Sequence, residues 1–465
     1  MKITKITTAL LLAIAVFFTS CDSWIDTEIN VDPDSPSDVP LSMLLPSIQA
    51  NMSYDLAGND AVMPTNCWMQ YFTGYARQAQ IYTYYRFTPA DVNNLWDGIY
   101  GSAGMDAKQL IDKAVNENAP HSAAVGEIMM AYLFAITTDL YGDIPFSEAF
   151  QGTDNLTPAV DAQQDIYTSI DGLLNSAIAH LGEEDLVGIK GDMMHGGSAS
   201  AWLKTAYALK ARNAMNLSLR NGSAASDAVA ALANAYTSNA DNLKFTFGIS
   251  PTDQSPISQF VDQRGDIVMG KYFIDLLNST GDPRLPRYAA LSDAGTYTGN
   301  SPAVGTIDGI SFPGRYVASQ SVAVTSYFMT YSECKFIEAE ALLSSNPNGA
   351  AAAYKEAVLA SLAQVLGDTA GTSAWFSAEI APETGATLTL EDIITQKYVA
   401  NYGQVQPYND YRRTGFPAGL EVPAAATTPM PLRYPYAQDE ITYNPNIEAL
   451  WNIDLVNQPV WWDVN

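Results

Sequence analysis

Val125-Gly-Glu-Ile-Met-Met-Ala-Tyr-Leu-Phe-Ala-Ile-Thr-Thr-Asp-Leu-Tyr-Gly-Asp-Ile-Pro145 carries the rhythm that decides the fold class of this 465-residue chain. Val125, Ile128, Met129, Tyr132, Leu133, Ile136 and Leu140 recur at steps of three and four, which places them on one face of an α-helix. Gly142 and Pro145 predict its end, because glycine adopts the left-handed closing conformation and proline lacks the N–H needed to continue.

The same rhythm recurs on both sides. Asp161 is placed to cap a helix whose Ile166, Ile170, Leu173, Leu174, Ala177, Ile178 and Leu181 share a face up to Gly182. Ser198 opens another through Trp202, Ala206 and Leu209. A further helix is expected over about 325–343, and Asn348 opens one with Tyr354, Ala357, Val358, Ser361, Leu362 and Val365 on its stripe, closed by Gly367. The helices fall into pairs: 124–141 with 162–181, 199–220 with 224–238, and 325–343 with 349–366. Recurrent alanine permits close approach, so the pairs are similar to tetratricopeptide-type hairpins. No clean 34-residue period exists, and stretches near 240–325 and 367–450 read as loop-rich inserts. The expectation is a mainly α fold: a tetratricopeptide-like helix-pair scaffold with a large loop-rich irregular lobe and little β. Strands are expected only near Lys244–Phe247 and Tyr316–Ala323.

Composition narrows function. Fifty Asp and Glu stand against 23 Lys and Arg, a formal net charge of −27, while 47% of residues are apolar. That apolar content belongs to a folding chain. The acidic excess excludes nucleic acid as a partner, since a phosphate backbone needs a basic footprint. It also excludes an electrostatic anchor on anionic lipid. Three cysteines are too few for a disulfide scaffold, and three histidines narrow zinc and histidine-based chemistry.

The N-terminus reads as an address. Lys2 and Lys5 precede an uncharged apolar run, Leu10–Phe18, then Phe18-Thr19-Ser20-Cys21, the layout of a bacterial lipobox. Residues 1–20 are read as a signal peptide, Cys21 as the lipidated residue, 21–42 as a Pro/Asp/Ser-rich tether and 43–465 as one α-helical domain. Removing Lys2 and Lys5 leaves 21 basic against 50 acidic residues, a net charge of −29. Several acyl chains on Cys21 anchor firmly, each buried CH₂ adding about 0.8 kcal/mol. Cys67 and Cys334 are expected as free, buried small hydrophobes; a disulfide between them is the alternative in an oxidising compartment. Asn30, Asp32 and Asp34 alternate as in a calcium loop, but Ser35 and Leu41 occupy the positions that need Gly and Glu; no cofactor is expected, and a structural calcium, which the many carboxylates could hold, is demanded by no spacing.

Catalytic motifs fail inspection. Gly265-Asp-Ile-Val-Met-Gly-Lys271 matches most of a phosphate loop, yet Tyr272 follows where magnesium needs Ser or Thr. There is no G-x-S-x-G and no H-E-x-x-H. His121, His180 and His195 are isolated and read as surface residues. Binding is therefore expected rather than catalysis. The alternatives are an all-helical glycoside hydrolase using two carboxylates and an interaction scaffold that holds no small ligand.

Aromatic placement says more. Residues 68–100 hold ten aromatics: Trp68, Tyr71, Phe72, Tyr75, Tyr82, Tyr84, Tyr85, Phe87, Trp96 and Tyr100. The chain-wide 11% would place fewer than four there. Helical spacing of Trp68, Phe72 and Tyr75 points to core. Gln78–Arg86 is read as lying between helices, where Tyr82, Tyr84 and Tyr85 offer rigid rings with polar tips for sugar or peptide faces. The candidate ligand contacts are Trp68, Gln78, Tyr82, Tyr84, Tyr85 and Arg86, with Trp375 in a second patch.

Five further segments appear in order: Asn30-Val-Asp-Pro33 to Leu44-Leu-Pro46; Thr138-Asp-Leu-Tyr-Gly-Asp-Ile-Pro-Phe-Ser-Glu-Ala149; Gly281-Asp-Pro-Arg-Leu-Pro-Arg-Tyr288; Ile394-Thr-Gln-Lys-Tyr398 with Tyr408-Asn-Asp-Tyr-Arg-Arg-Thr-Gly-Phe-Pro417; and Arg433-Tyr-Pro-Tyr436 with Glu440 and Asn444-Pro-Asn446. Together they resemble the SusD/RagB family of nutrient-binding outer-membrane lipoproteins, its SusD-like branch in particular. The resemblance implies helix pairs supporting a loop-rich lobe, and attachment through Cys21 to the outer membrane, facing outwards. It also implies a TonB-dependent, SusC-like β-barrel partner, to which a captured oligosaccharide or peptide is delivered. The shared motifs match scaffold segments and transfer no ligand residues.

Overall fold

The computed structural model describes residues 39–302, 305, 307–382 and 385–464. Cys21, the signal, tether residues 21–38 and the Asn30–Asp34 alternation lie outside them, while Leu41 and Ser42, read as tether, belong to a helix. Leu41–Asn465 packs as one unit. It is about 54% helical and 5% strand, which makes the fold mainly α.

The α-helices of seven residues or longer are, in chain order, α1 (Leu41–Asp55), α2 (Val62–Trp68), α3 (Arg77–Thr83), α4 (Met105–Asn116), α5 (Pro120–Tyr141), α6 (Gln163–His180), α7 (Ala199–Asn216), α8 (Ala224–Leu232), α9 (Pro256–Gln263), α10 (Lys271–Ser279), α11 (Tyr331–Leu342), α12 (Pro347–Leu366), α13 (Thr372–Glu379), α14 (Leu390–Ala400) and α15 (Gln406–Thr414). α5 is long and apolar enough to cross a membrane, yet its apolar window is wholly buried. It is the core helix, packed by α4 and α6. Pro120 starts it at the position where a missing N–H costs nothing. Gly142 ends it at φ +86°, where a Cβ would meet Arg433 Nη1 at 2.8 Å.

The expected pairs are present: α5 packs on α6, α7 on α8, and α11 on α12. Their details differ from the sequence reading. Asp161 does not cap α6; it accepts from Phe146 N at 2.8 Å and Ser147 Oγ at 2.6 Å, and Asp143 Oδ1 takes the Gln163 N–H at 2.8 Å instead. Asn346, not Asn348, caps α12 by accepting Gly349 N. α8 stops at Leu232 and α7 at Asn216, short of the expected 238 and 220.

The helix expected over 325–343 begins only at Tyr331, where Thr330 Oγ1 accepts Glu333 N at 3.0 Å. The preceding residues form a strand. Four strands exist among the described residues: β1 (Phe72–Gly74), β2 (Leu243–Thr246), β3 (Ile267–Met269) and β4 (Thr325–Met329). β1 pairs antiparallel with β3, and β2 with β4. The β2 position matches the expectation near Lys244; its partner is β4 rather than Tyr316–Ala323. Thr325-Ser-Tyr-Phe-Met329 is rich in strand-favouring residues, and pairing with β2 overrides the helical rhythm that follows. The inserts expected as loops also carry α9, α10, α13, α14 and α15.

Buried ion pairs tie these segments together. Arg284 grips Asp282 with Nε at 2.9 Å and Nη2 at 2.6 Å, then reaches Ser361 Oγ on α12 and Gln396 Oε1 on α14. Arg212 on α7 clasps both oxygens of Glu333 on α11. Asp410 meets Lys397 at 2.9 Å and Arg413, whose Nη2 also reaches Glu340. Cys67 and Cys334 are buried and free, and burial pushes the Cys67 thiol up to about 12.

Candidate functional site

The aromatic-rich segment folds back on itself around β1. A Cβ on Gly74 would lie 2.0 Å from the Ala79 carbonyl oxygen, so only glycine lets α3 sit this close to the strand. Arg77, at φ +48°, anchors α3 by donating Nε and Nη2 to the two oxygens of Asp266 at 2.8 and 2.6 Å. Tyr75 donates to Gly265 O at 2.7 Å on the same side.

After α3 the chain turns sharply. Tyr85 stands at φ +58°, a left-handed conformation that is costly for a bulky residue. Backbone bonds from Tyr85 N to Tyr82 O and from Arg86 N to Ile81 O close the turn at 3.1 and 3.0 Å. The Arg86 guanidinium lies 5.5 Å from the Tyr84 ring centre and donates to Ala425 O at 3.1 Å. Burial, with Tyr411 beside it, pushes the Tyr85 hydroxyl well above its ordinary range.

The segment after Gly415 is fastened across this turn. Gln70, itself at φ +57°, binds Glu421 twice: Nε2 donates to Glu421 O at 2.5 Å and Oε1 accepts Glu421 N at 3.1 Å. Tyr272 donates to Ala418 O at 2.9 Å, and Ser301 to Glu421 Oε2 at 2.7 Å. Five non-glycine residues have positive φ among those described, and Gln70, Arg77 and Tyr85 are three of them. Strain held by the surroundings gathers at binding and catalytic sites. Here it gathers at a turn where exposed Arg86 lies beside the half-buried Tyr84 ring.

The structure separates the expected ligand contacts. Trp68 and Tyr82 belong to the core, which corrects their reading as ligand-facing. Every residue of α2 is buried; Trp68 donates its indole N–H to Tyr82 O at 3.1 Å and packs edge-on against Phe87 and Tyr434. Gln78 is half-buried beside the Tyr82 hydroxyl, on a helix where a loop was expected. Tyr84 and Tyr85 are half-buried and Arg86 is exposed; Arg86 lies over the Tyr84 ring, while the Tyr85 hydroxyl lies near Tyr411. Trp375 lies elsewhere: its Nε1 donates to Thr280 O at 2.8 Å and its ring packs on the cluster around Tyr354 and Phe376.

Sequence reasoning missed Tyr272, Tyr411 and Glu421. Tyr411 sits inside a recognised motif, and its spacing of three from buried Tyr408 groups it with the core face, so helical phase gave no signal to set it apart. The Gly265–Lys271 stretch is no phosphate loop. Its centre is β3, Lys271 pairs with Asp275, and Gly270 is needed because a Cβ would strike Gln70 O. The histidines are not plain surface residues: His180 meets Glu127, His121 meets Glu183 O, and His195 meets Thr205. Burial lowers His195 to about 4. Among the described residues no cluster of three or more His, Cys, Asp or Glu could hold a metal ion.

Comparison with known proteins adds the following. A family model, SusD-like, described as starch-binding associating with outer membrane, matches residues 33–437. A solved SusD/RagB family protein from Bacteroides thetaiotaomicron has a TM-score of 0.82 at 24% identity, covering 92% of this chain and 100% of its own. A chitin-binding protein gives 0.80 at 26% identity over 92% and 100%. A SusD homolog from Bacteroides fragilis gives 0.76 at 25% identity over 92% and 99%. No curated protein matches the chain significantly.

Proposed function

This chain belongs to the SusD/RagB family, and from that premise we propose that it is a surface lipoprotein that captures an oligosaccharide at the Tyr84-Tyr85-Arg86 turn. It then passes the sugar to a TonB-dependent, SusC-like β-barrel. Family membership supports nutrient binding at the outer membrane. The lipobox supports anchoring through Cys21, and the family resemblance supports an outward-facing position. The observation that carries the site is the braced, strained turn: Tyr85 is held left-handed while Arg86 pins the Tyr84 ring. A ring fixed before binding stacks on a sugar face without losing further rotamer freedom. The similarity to a chitin-binding protein at 26% identity favours a sugar over a peptide and suggests chitin oligosaccharides as the first probe. No step breaks a bond; recognition and release are the whole cycle.

Calorimetric titration of the mature chain with chitin and starch oligosaccharides tests capture. Saturable binding that Tyr84→Ala weakens at least tenfold is expected, and binding indifferent to that change would remove the turn from the site. Affinity purification with lipidated protein should recover an outer-membrane barrel, and Cys21→Ser should release the protein from the membrane fraction. Recovery of no barrel would overturn the delivery step.

A further inference from the structure

We propose that a second cleft, formed by Arg287, Arg315 and Tyr327, binds an oxyanion carried on a sugar, such as the carboxylate of a uronic acid. The cleft is open to solvent and has room for about 240 Å³. Backbone pairing brings the two arginines together. Ala289 bridges Pro313, Gly314 N donates to Tyr288 O at 2.8 Å, and Tyr316 N donates to Arg287 O at 3.1 Å. The opposite wall is rigid: Tyr327 on β4 stacks on Tyr316 with planes 10° apart, and Gln364 donates to the Tyr316 hydroxyl at 2.8 Å.

The charge pattern points to the ligand. In a chain of net charge −27, a guanidinium has an abundance of carboxylates to pair with. Arg77, Arg212, Arg284 and Arg413 have taken them. Arg86, Arg220, Arg412 and Arg433 donate to carbonyl oxygens. Among the described residues, the guanidiniums of half-buried Arg287 and exposed Arg315 do neither, nor does Arg264, which is exposed and lies outside this cleft. No Asp or Glu lines the cleft, and the Tyr327 hydroxyl has no protein partner among the described residues. Half-buried Arg287 thus keeps a planar fork of donors free in a walled space, the geometry that receives a carboxylate or sulfate side-on.

Titration of the mature chain with glucuronate, glucose and inorganic sulfate, followed by NMR and calorimetry, tests the assignment. Glucuronate should bind, glucose at least tenfold more weakly, and sulfate should compete with glucuronate. Arg287→Gln and Arg315→Gln should each weaken glucuronate at least tenfold. Their melting temperatures should not change, because neither guanidinium has a partner to lose. Equal binding of glucose, no competition by sulfate, or variants that bind glucuronate as the natural protein does would overturn the proposal. Chitin-oligosaccharide binding at the Tyr84 turn should survive both arginine changes, so failure here and failure of the capture site are separately visible.

Discussion

Trp462 donates its indole N–H to Asp139 Oδ1 at 2.8 Å, across 323 residues of chain. Asp139 also accepts from the Tyr167 hydroxyl at 2.6 Å and from Asn409 Nδ2 at 2.7 Å. Burial pushes this carboxyl up to about 6, against the pull of Tyr167 and nearby Arg412. Arg412 seals the cluster, lying 4.7 Å from the Trp462 ring centre. The C-terminal segment is thus part of the core built on α5. Trp462→Phe keeps most of the ring and removes the donor, which should cost about 1–3 kcal/mol. The urea midpoint should fall with little change in slope, while oligosaccharide affinity stays constant. An unmoved midpoint would mean that this contact does not stabilise the fold.

Arg284 is the most deeply committed cation of the scaffold, fully buried and serving Asp282, Ser361 and Gln396 at once. Arg284→Ala would leave the Asp282 carboxylate buried without its partner, a loss on the order of 3–5 kcal/mol. Arg284→Lys should rescue little, since an ammonium cannot reproduce the two-pronged grip or reach both neighbours. Thermal melts of the two variants check this; near-complete rescue by lysine would show that charge alone suffices.

These buried ties explain what was legible in the sequence. The segments that revealed the family contain Asp139, Asp282, Arg284, Lys397, Asp410, Arg412 and Arg413, all of which hold helices together inside the fold. The helix pairs were readable because their rhythm spans several turns. β4 was not, because five residues are too few to show a period and their pairing partner β2 lies some eighty positions earlier. The site was half readable. A surplus of aromatics marked the segment, but composition cannot tell Tyr82, which points into the core, from Tyr84, two residues on. That distinction rests on the left-handed turn at Tyr85, where the following Arg86 is tied to Ala425, 339 positions on.

Tyr82 and Tyr84 therefore make an internal control. Tyr82→Ala empties a filled core position beneath Trp68 and Phe87 and should cost about 3–5 kcal/mol. Tyr84→Ala removes a half-exposed ring and should shift stability by less than about 1 kcal/mol, while weakening oligosaccharide binding. Paired melting and titration curves separate the two effects. A Tyr84→Ala protein that melts as early as Tyr82→Ala would return that ring to the core.

The last prediction concerns pH. Asp55 is raised from 3.8 to about 7, by burial first and then by Asp60 and Asp97; Asp60 is raised to about 6 by burial and Asp91. The folded chain therefore holds the Asp55 proton more tightly than the unfolded chain does. Its stabilising contribution is complete below 3.8 and is lost as pH rises through about 7. Asp55→Asn imitates the protonated side chain and does not titrate. The variant's advantage over the natural protein should grow between pH 5 and pH 8, by on the order of 1–2 kcal/mol once partial solvent exposure is allowed for. His195 works in the opposite direction: burial lowers it from 6.5 to about 4, so the unfolded chain takes up the proton first and stability falls as pH drops through that range. That term is common to both proteins and cancels in their difference. Urea melts at pH 5 and pH 8 give the comparison. A stability gap that stays constant between those pH values would show that Asp55 is already ionised at the lower one.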